Sequence, residues 1–572
     1  MKNLLRMVTL GLLVGIFAGY SANCSSVTTN NCTYGQCPPQ CSDGVQNAPE
    51  TDIDCGGAIC IECPLGKKCN IGADCLSAVC AAGVCSEPSC TDGVLDGSET
   101  DIDCGGSCGK CATGRGCSGA GDCATGVCTG NRCAAPSCTD KVKNGSETDV
   151  DCGSGCAPCG LGGACTANSD CAPLLCDNGK CGLGNGGDGP LNVAAGMSQT
   201  TSTIASAATG AKGGTSLTLG TATGFATGQN ILIHQTQGTG AGNSELNRIA
   251  AINGTTATLV NPLANAYTTG AQTVVVQQYT NVSVAATGTL VAPAWNGTAG
   301  GIMVFQASGA VTVDGTVSMG ARGFRGGGDP VNCFPGSPSG VGCNISHGRF
   351  GESEAGSSTF GTPDNAGYGI NNGSGGGGGT RGMDCAAGGG ASHATGGSPG
   401  ADGSLGLCIV NLKHGGGLAG NLLGGQDLTR QIFVGGGGGE GGPDEDGTHP
   451  GVGGNGGGII VILASSLTVN NTTGVIEANG GGGDGGMNAF PGCGGGGGGM
   501  GSGGGGAGGA IRLFTAGPTA LGSGRITTLG GGGATGGSCG AGNPGGNGGL
   551  GRIHVRPGAA PTGATNPPAY VD

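Results

Sequence analysis

Three successive stretches of the chain each carry eight cysteines and a knot of oxygen-bearing side chains at matching spacing. The first has Cys41, Cys55, Cys60, Cys63, Cys69, Cys75, Cys80 and Cys85; the second Cys90, Cys104, Cys108, Cys111, Cys117, Cys123, Cys128 and Cys133. The third has Cys138, Cys152, Cys156, Cys159, Cys165, Cys171, Cys176 and Cys181. Thiols at this density either ligate metal or crosslink the chain. Each copy holds one C-x-x-C pair (Cys60/Cys63, Cys108/Cys111, Cys156/Cys159), whereas zinc sites draw on a second pair or on histidines. None of the six histidines lies in the three copies. The thiols therefore read as disulfides, with roughly a hundred pairings open for each set of eight.

The oxygen-bearing groups are Asp43, Asn47, Glu50, Asp52 and Asp54 in the first copy. The second has Asp92, Asp96, Glu99, Asp101 and Asp103, and the third Asp140, Asn144, Glu147, Asp149 and Asp151. Calcium takes about six to eight oxygen ligands from short turning loops, which Asp, Asn and Gly supply. The spacing is not that of an EF-hand. The same residues equally form Asx-turns that cap their own backbone. Turn formation is the first reading of these residues, and calcium, the one cofactor the chain suggests, is the alternative.

These elements must be positioned without a large core. Glycine accounts for 139 of 572 residues, aromatics for 3%, and there is one tryptophan, so each residue has little apolar area to bury. Thirty-three cysteines point to an oxidising compartment. The net charge is −14, and 19 acidic against 8 basic residues place −11 of it between Cys41 and Gly182. That balance speaks against nucleic acid as a partner.

Residues 1–23 read as an export signal. Lys2 and Arg6 precede an apolar run, Val8 to Ala18, that is too short to span a bilayer. Ser21-Ala22-Asn23-Cys24 is similar to the end of a bacterial lipoprotein signal, whose cysteine is diacylated; ordinary cleavage after Ser21 is the alternative. Parity favours lipid on Cys24. The copies use 24 cysteines and six follow Gly182 (Cys333, Cys343, Cys385, Cys408, Cys493, Cys539), so removing Cys24 leaves Cys32 to pair with Cys37. Residues 24–40 are then a polar stalk.

The repeated wording CSDGVQNAPETDIDCGG, CTDGVLDGSETDIDCGG and CTDKVKNGSETDVDCGS, followed by C-x-x-C and D-C-x4-C-x4-C, resembles the cysteine-rich repeats of surface proteins and lipoproteins in myxobacteria and their relatives. The resemblance covers Cys41 to Cys181. It implies an extracytoplasmic place and a structural or adhesive role, and it supplies no catalytic residue.

The repeats divide as 41–89, 90–137 and 138–182, followed by a glycine-rich linker, 183–190, and a β-strand domain, 191–320. A G-x-G-x-x-G match at Gly182, Gly184 and Gly187 lacks the strand–turn–helix setting of a nucleotide site. A glycine-rich β-repeat domain, 321–558, and a tail, 559–572, complete the chain. A second repeat recurs at Gly300-Gly-Ile-Met-Val-Phe, Gly457-Gly-Ile-Ile-Val-Ile-Leu, Gly508-Gly-Ala-Ile-Arg-Leu-Phe and Gly549-Leu-Gly-Arg-Ile-His-Val. Its apolar residues fall two apart, at Ile302/Val304, Ile460/Ile462, Ile511/Leu513 and Ile553/Val555, which predicts strands with one buried face. Stacked copies predict a parallel β-helix or related solenoid. The glycine runs at 375–379, 435–439, 494–499 and 503–506 are either flexible loops or bundled polyproline-II-type helices whose bare backbones exchange hydrogen bonds.

The expected fold is mainly β: three small disulfide-rich repeats, a β-domain and a glycine-rich β-solenoid region with polyglycine-II segments. G-x-S-x-G at Gly396–Gly400 and Gly536–Gly540, and His414-Gly415-Gly416-Gly417, lack the parallel sheet and helices of a hydrolase. Glu440, Asp444, Glu445, Asp446 and His449 read as a solvated loop. The expected function is an exported cell-surface protein, lipid-anchored to a membrane, structural or adhesive, contacting cells, glycans or matrix, and not an enzyme. The rival reading is a β-helix enzyme acting on extracellular polysaccharide.

Overall fold

In the computed structural model the described residues are 41–47, 50–93, 95, 97–171, 174–328, 351–355, 374–377, 386–402, 417–423, 431–442, 451–485, 501–535 and 544–572. Cys24, the other cysteines outside the three repeats, Asp96, His414, the second G-x-S-x-G and Asp444 to His449 lie outside them. The chain forms two compact units, 1–136 and 137–572. Among the described residues there is no α-helix, and no helix is long and apolar enough to cross a membrane.

In the first unit the eight cysteines of each repeat pair in one order, first with third, second with fourth, fifth with seventh and sixth with eighth. The bridges are Cys41–Cys60, Cys55–Cys63, Cys69–Cys80 and Cys75–Cys85, then Cys90–Cys108, Cys104–Cys111, Cys117–Cys128 and Cys123–Cys133. Regular structure is minimal: a 3-10 turn at Gly72–Asp74 and a two-stranded ladder of Cys80–Ala81 with Val84–Cys85, both repeated in the second copy. The buried apolar cluster of each repeat is made of cysteines alone. Sulfur takes the place of a hydrocarbon core, so crosslinking carries the stability that burial cannot.

The second unit opens with the third repeat, paired in the same order: Cys138–Cys156, Cys152–Cys159, Cys165–Cys176 and Cys171–Cys181. Leu161 and Leu174 of this copy pack on a cluster containing Leu232 and Val274. The Asp177 carboxylate meets the Arg248 guanidinium and accepts from Asn230 Nδ2 at 3.0 Å. In the stretch 183–190, read from sequence as a linker, Asn185, Asp188 and Gly189, with the preceding Gly182, hydrogen-bond to the strand region around Gln278 and Gln306. Asn185 N donates to Gln278 Oε1 (3.0 Å), Asp188 Oδ2 accepts from Gln278 N (2.6 Å), and Gly182 O accepts from Gln306 Nε2 (2.9 Å).

The β part interleaves two architectures. Ala205–Thr209, Ser216–Leu219, Asn230–Gln235, Ser244–Asn253, Thr256–Leu259 and Ala271–Val275 close into an antiparallel barrel around Leu217, Ile231, Ile233, Ile249 and Leu259. The segments flanking the barrel belong to a parallel stack with two ladders. One runs Leu191–Val193, Val282–Val284, Ile302–Val313, Ile459–Val469, Ala510–Thr515, Arg552–Arg556, Tyr570–Val571. The other runs Ser198–Thr200, Thr289–Val291, Thr316–Ser318, Val475–Glu477, Thr519–Thr527, Thr562–Asn566. Consecutive coils give one strand to each ladder, the arrangement of a β-helix.

Register corrects one detail of the sequence reading. Met303, Ile460, Ile511 and Ile553 stand in one column and Phe305, Ile462, Leu513 and Val555 in another, and all face the inner core. Ile302 and Val304, buried as the alternation predicts, stand in register with Ile459 and Val461 on the opposite face, not with Ile460 and Ile462. Ile302–Val313 and Ile459–Val469 begin with six residues buried on both faces, so alternation there does not say which face is inward.

The described glycine runs are ordered; 378–379 and the run 494–499 lie outside the described residues. In segment 435–442 the N–H groups of Gly435, Gly438 and Gly441 donate to the carbonyls of Gly457, Gly454 and Gly451 at 2.8–2.9 Å. The carbonyls of Gly436, Gly439 and Gly442 accept from Ala507, Gly504 and Gly501 at 2.9–3.3 Å. The N–H groups of Gly439 and Gly442 donate to Gly389 and Ala386, Gly437 bonds Glu352 and Gly376, and the carbonyls of Gly435 and Gly438 accept from Phe324 and Gly327. Partners change with a period of three, the period of polyproline II. Three residues carry three N–H and three C=O groups, which accounts for the six neighbouring segments. The spacing tolerates no side chain: a Cβ on Gly438, Gly439 or Gly504 would lie under 3.0 Å from the carbonyl oxygen of Gly504, Gly377 or Gly389 respectively.

Candidate functional site

The outer face of the first ladder changes character along the stack. One column reads Val304, Val461, Arg512, His554, and its neighbour Ile302, Ile459, Ala510, Arg552. The apolar upper part is covered by Ile432 and Val434. Where the columns turn basic, a cavity of about 300 Å³ opens, lined among others by His393, Phe433, Arg512, Arg552, His554 and Tyr570. A small-ligand site of this kind combines apolar walls with a few fixed polar groups.

The polar groups are distinct in role. His393, 1% exposed, has Nδ1 2.6 Å from the carbonyl oxygen of Gly508. A carbonyl only accepts, so Nδ1 carries the proton and Nε2 presents a lone pair. That Nε2 is buried without a hydrogen-bond partner. Burial pushes the His393 pKa down to about 4, against the Gly508 bond and with help from the Arg552 charge, so the ring is neutral at neutral pH. Arg552 donates through Nη2 to the carbonyl of Leu423 at 3.1 Å, while its Nη1 is buried without a partner. Burial lowers its pKa as well. Arg512 Nη2 is held by the carbonyl of Gln431 at 2.8 Å. His554 Nε2 lies 2.8 Å from Asp572 Oδ1, and its Nδ1 is buried without a partner. Burial depresses the His554 pKa, Asp572 opposes this, and Arg512 and Arg556 add to it.

Rings frame these groups. His554 lies edge-on to Phe514 at 5.1 Å and tilted to Tyr570 at 5.3 Å, and His393 is edge-on to Phe433 at 6.4 Å. Tyr570 is 53% exposed and presents its ring to solvent. Phe433 and Gln431 also line an adjoining cavity of about 530 Å³ with Glu354, Leu422 and Leu423. Burial raises the Glu354 pKa, and its carboxylate accepts from Ser374 N at 3.2 Å and from Ser374 Oγ. The cleft thus offers hydrogen-bond acceptors, guanidinium donors and aromatic edges and faces side by side. The sequence reading missed it. Its one trace is the replacement of Val461 by Arg512 and His554, and of Ile459 by Arg552, in later copies of the repeat.

The carboxylates singled out from sequence are spread around the acidic half of each repeat and hold backbone amides. Asp54, Asp103 and Asp151 accept from the N–H of Gly44, Gly93 and Lys141 at 2.9–3.1 Å. Asp52, Asp101 and Asp149 cross to Lys68, Gly116 and Ala164 at 2.5–2.7 Å, and these amides are the main reason their pKa values are lowered. Glu50, Glu99 and Glu147 accept from the N–H of Asp54, Asp103 and Asp151 at 3.1–3.4 Å. Asp43 and Asp140 take Val45 N and Val142 N, and each accepts from the side chain of Asn47 or Asn144 at 3.0 Å. Asp92 is engaged too. Asn47 Oδ1 is buried with no hydrogen-bond partner. The thiol clusters that could hold a metal are closed as disulfides.

The reading also passed over Asp74, Asp122 and Asp170, which join the two halves of each repeat. Asp122 accepts from Gly106, Ser118 and Gly119 amides at 2.8–3.1 Å, and these hold its pKa down to about 2. Asp170 does the same with Ser154, Thr166 and Ala167. Burial opposes ionisation of Asp74, but amides of Asn70, Ile71 and Gly57 outweigh it. The signal was the Asp preceding the sixth cysteine in all three copies. Ser398, in the first G-x-S-x-G, accepts from Asn547 N at 2.7 Å within the glycine bundle.

No family model and no curated protein matches the chain. Among solved structures it is similar to the Gp54 tailspike of Acinetobacter baumannii bacteriophage AP22, solved in complex with A. baumannii capsular saccharide. The identity is 8% and the TM-score 0.14, over 64% of this chain and 46% of the tailspike, so the chain spans about half the tailspike's length. A likeness at this level says nothing about what this chain binds.

Proposed function

We propose that the protein is an exported surface protein that adheres to saccharide through its β unit and is tethered to a membrane by lipid on Cys24. Disulfides in all three repeats support an extracytoplasmic place. The observation that carries saccharide contact is the cleft around Phe433 and Tyr570. Sugar hydroxyls both donate and accept, so they suit a site that pairs the lone pair of His393 Nε2 with the free Nη1 of Arg552, and sugar C–H faces pack on aromatic rings. A glycan array on the full chain, with turnover followed on every positive, should give binding without product. Tyr570→Ala should weaken that binding about tenfold. An array without positives, or unchanged affinity in Tyr570→Ala, overturns the reading. Cys24→Ser should move the protein from the membrane to the soluble fraction; unchanged membrane association sinks the tether.

Calcium at the acidic half of each repeat is proposed with it, supported by Asn47 Oδ1, a buried oxygen left over beside the Asp43 and Glu50 carboxylates. A second reading, catalysis on polysaccharide, draws on Glu354, whose raised pKa suits a general acid. It predicts product release on the array that Glu354→Gln abolishes.

A further inference from the structure

We infer that the cleft takes an acidic saccharide, a uronate-bearing chain whose carboxylate sits on the Arg552 guanidinium; this rests on the saccharide reading above.

Three observations carry it. The chain is acidic, at −14, yet the described residues lining the 300 Å³ cavity include Arg512 and Arg552 and no carboxylate; Glu354 lines only the adjoining cavity, where it accepts from Ser374. The nearby Asp572 is already taken, by His554 at 2.8 Å and Arg556 at 3.5 Å. The cleft is therefore a local reversal of charge that a neutral sugar does not use.

Arg552 also has Nη2 satisfied by the Leu423 carbonyl and Nη1 buried without a partner. A buried guanidinium donor left unpaired is costly, and a sugar hydroxyl repays less of that cost than a carboxylate, which accepts with full charge assistance. Finally, the ligand is extended. The cavity shares Phe433 and Gln431 with its larger neighbour, so a chain leaving the Arg552 subsite runs along the Phe433 wall. His393 Nε2 beside it accepts from a hydroxyl of the same ring, which fixes the sugar's orientation.

The test uses the full chain and short oligomers of galacturonate, mannuronate and glucuronate, each compared with its own methyl ester by titration calorimetry. Esterification removes the charge and keeps the sugar. At least one free acid should bind tenfold or more tighter than its ester, and that advantage should shrink with added salt. Arg552→Gln should bring acid and ester to the same affinity, with Arg512→Gln as the second variant and thermal unfolding as the control for folding. If acids and esters bind equally, the charge inference falls and saccharide contact stands. If neither binds while other glycans do, the acidic class is wrong; if no glycan binds, both readings fall. The wild-type comparison decides without any variant.

Discussion

The cysteine repeats and the glycine bundle both order a chain that has almost no large side chains to bury, and they do it by opposite means. The repeats spend covalent bonds: the interior of each is sulfur, and carboxylates thread the remaining amides together. The bundle relies on backbone-to-backbone hydrogen bonds, shared among neighbouring segments, with a few side chains such as Asn455 and Ser398 adding to them. A small core can thus be replaced by crosslinks that restrict the unfolded state, or by removing the Cβ wherever backbones must approach within hydrogen-bonding distance. The first strategy depends on redox conditions and the second on steric exclusion.

The largest effect that separates them is reduction. Each native disulfide in a small domain is worth about 2–5 kcal/mol. Reducing the full chain should abolish amide protection across 41–181 while amides in 435–439 and 459–464 stay protected in hydrogen-exchange mass spectrometry. Equal loss in both regions would break the comparison. Next is steric exclusion. Gly439→Ala drives a Cβ into the Gly377 carbonyl and should cost about 3 kcal/mol of stability in denaturant unfolding of the β unit. Gly93→Ala, at φ +78 with open space around it, should cost only about 1 kcal/mol in the first unit. Similar costs would mean that the bundle yields to a methyl group.

Calcium sharpens the comparison from the other side. The proposal expects calorimetry on the oxidised protein to find up to three saturable sites, magnesium to bind more weakly, and Asp52→Asn with Asp54→Asn to remove one site. No saturable heat at millimolar calcium would leave the carboxylates as turn-formers alone. The smallest effect is acid sensitivity. His234 and His393 are buried with pKa values pushed down to about 4, against about 6.5 in an unfolded chain. The unfolded chain then binds more protons between those values, so their contribution is full above pH 6.5 and is lost as pH falls toward 4. The first unit contains no histidine, and Asp122, held near 2, loses its contribution only as pH falls below about 4. The melting temperature of the β unit should fall between pH 6.5 and 4 and that of the first unit below pH 4. His234→Gln should flatten the first slope.

The sequence made the mainly β class, the disulfides and the stacked strands legible, because cysteine spacing and period-two alternation report directly on crosslinks and pleat. It left the glycine runs undecided. A backbone lattice has no side-chain pattern, and its period of three appears only when hydrogen-bond partners are known. Alternation at Ile302 and Val304 reported burial but not which side of the sheet they face, because both faces of their strand are buried. The cleft stayed hidden because His393, Phe433 and Arg552 come from three distant segments, 386–402, 431–442 and 551–556, and only the ladder register sets Arg552 beside Ala510. The barrel was read as ordinary strands before the solenoid, when it is an excursion between two of the solenoid's own coils.

The exclusion of a Cβ from the tightest positions of the bundle has a genetic consequence. In an apolar core, leucine exchanges for isoleucine or methionine at modest cost, so a lineage can drift while the packing is kept. A bundle glycine has no near neighbour among the amino acids. Every missense change adds at least a methyl group, and at Gly438, Gly439 or Gly504 that group meets a backbone carbonyl that cannot swing aside as a side chain would. At these positions each codon change that alters the residue therefore disturbs the backbone lattice itself, with no conservative exchange open to it.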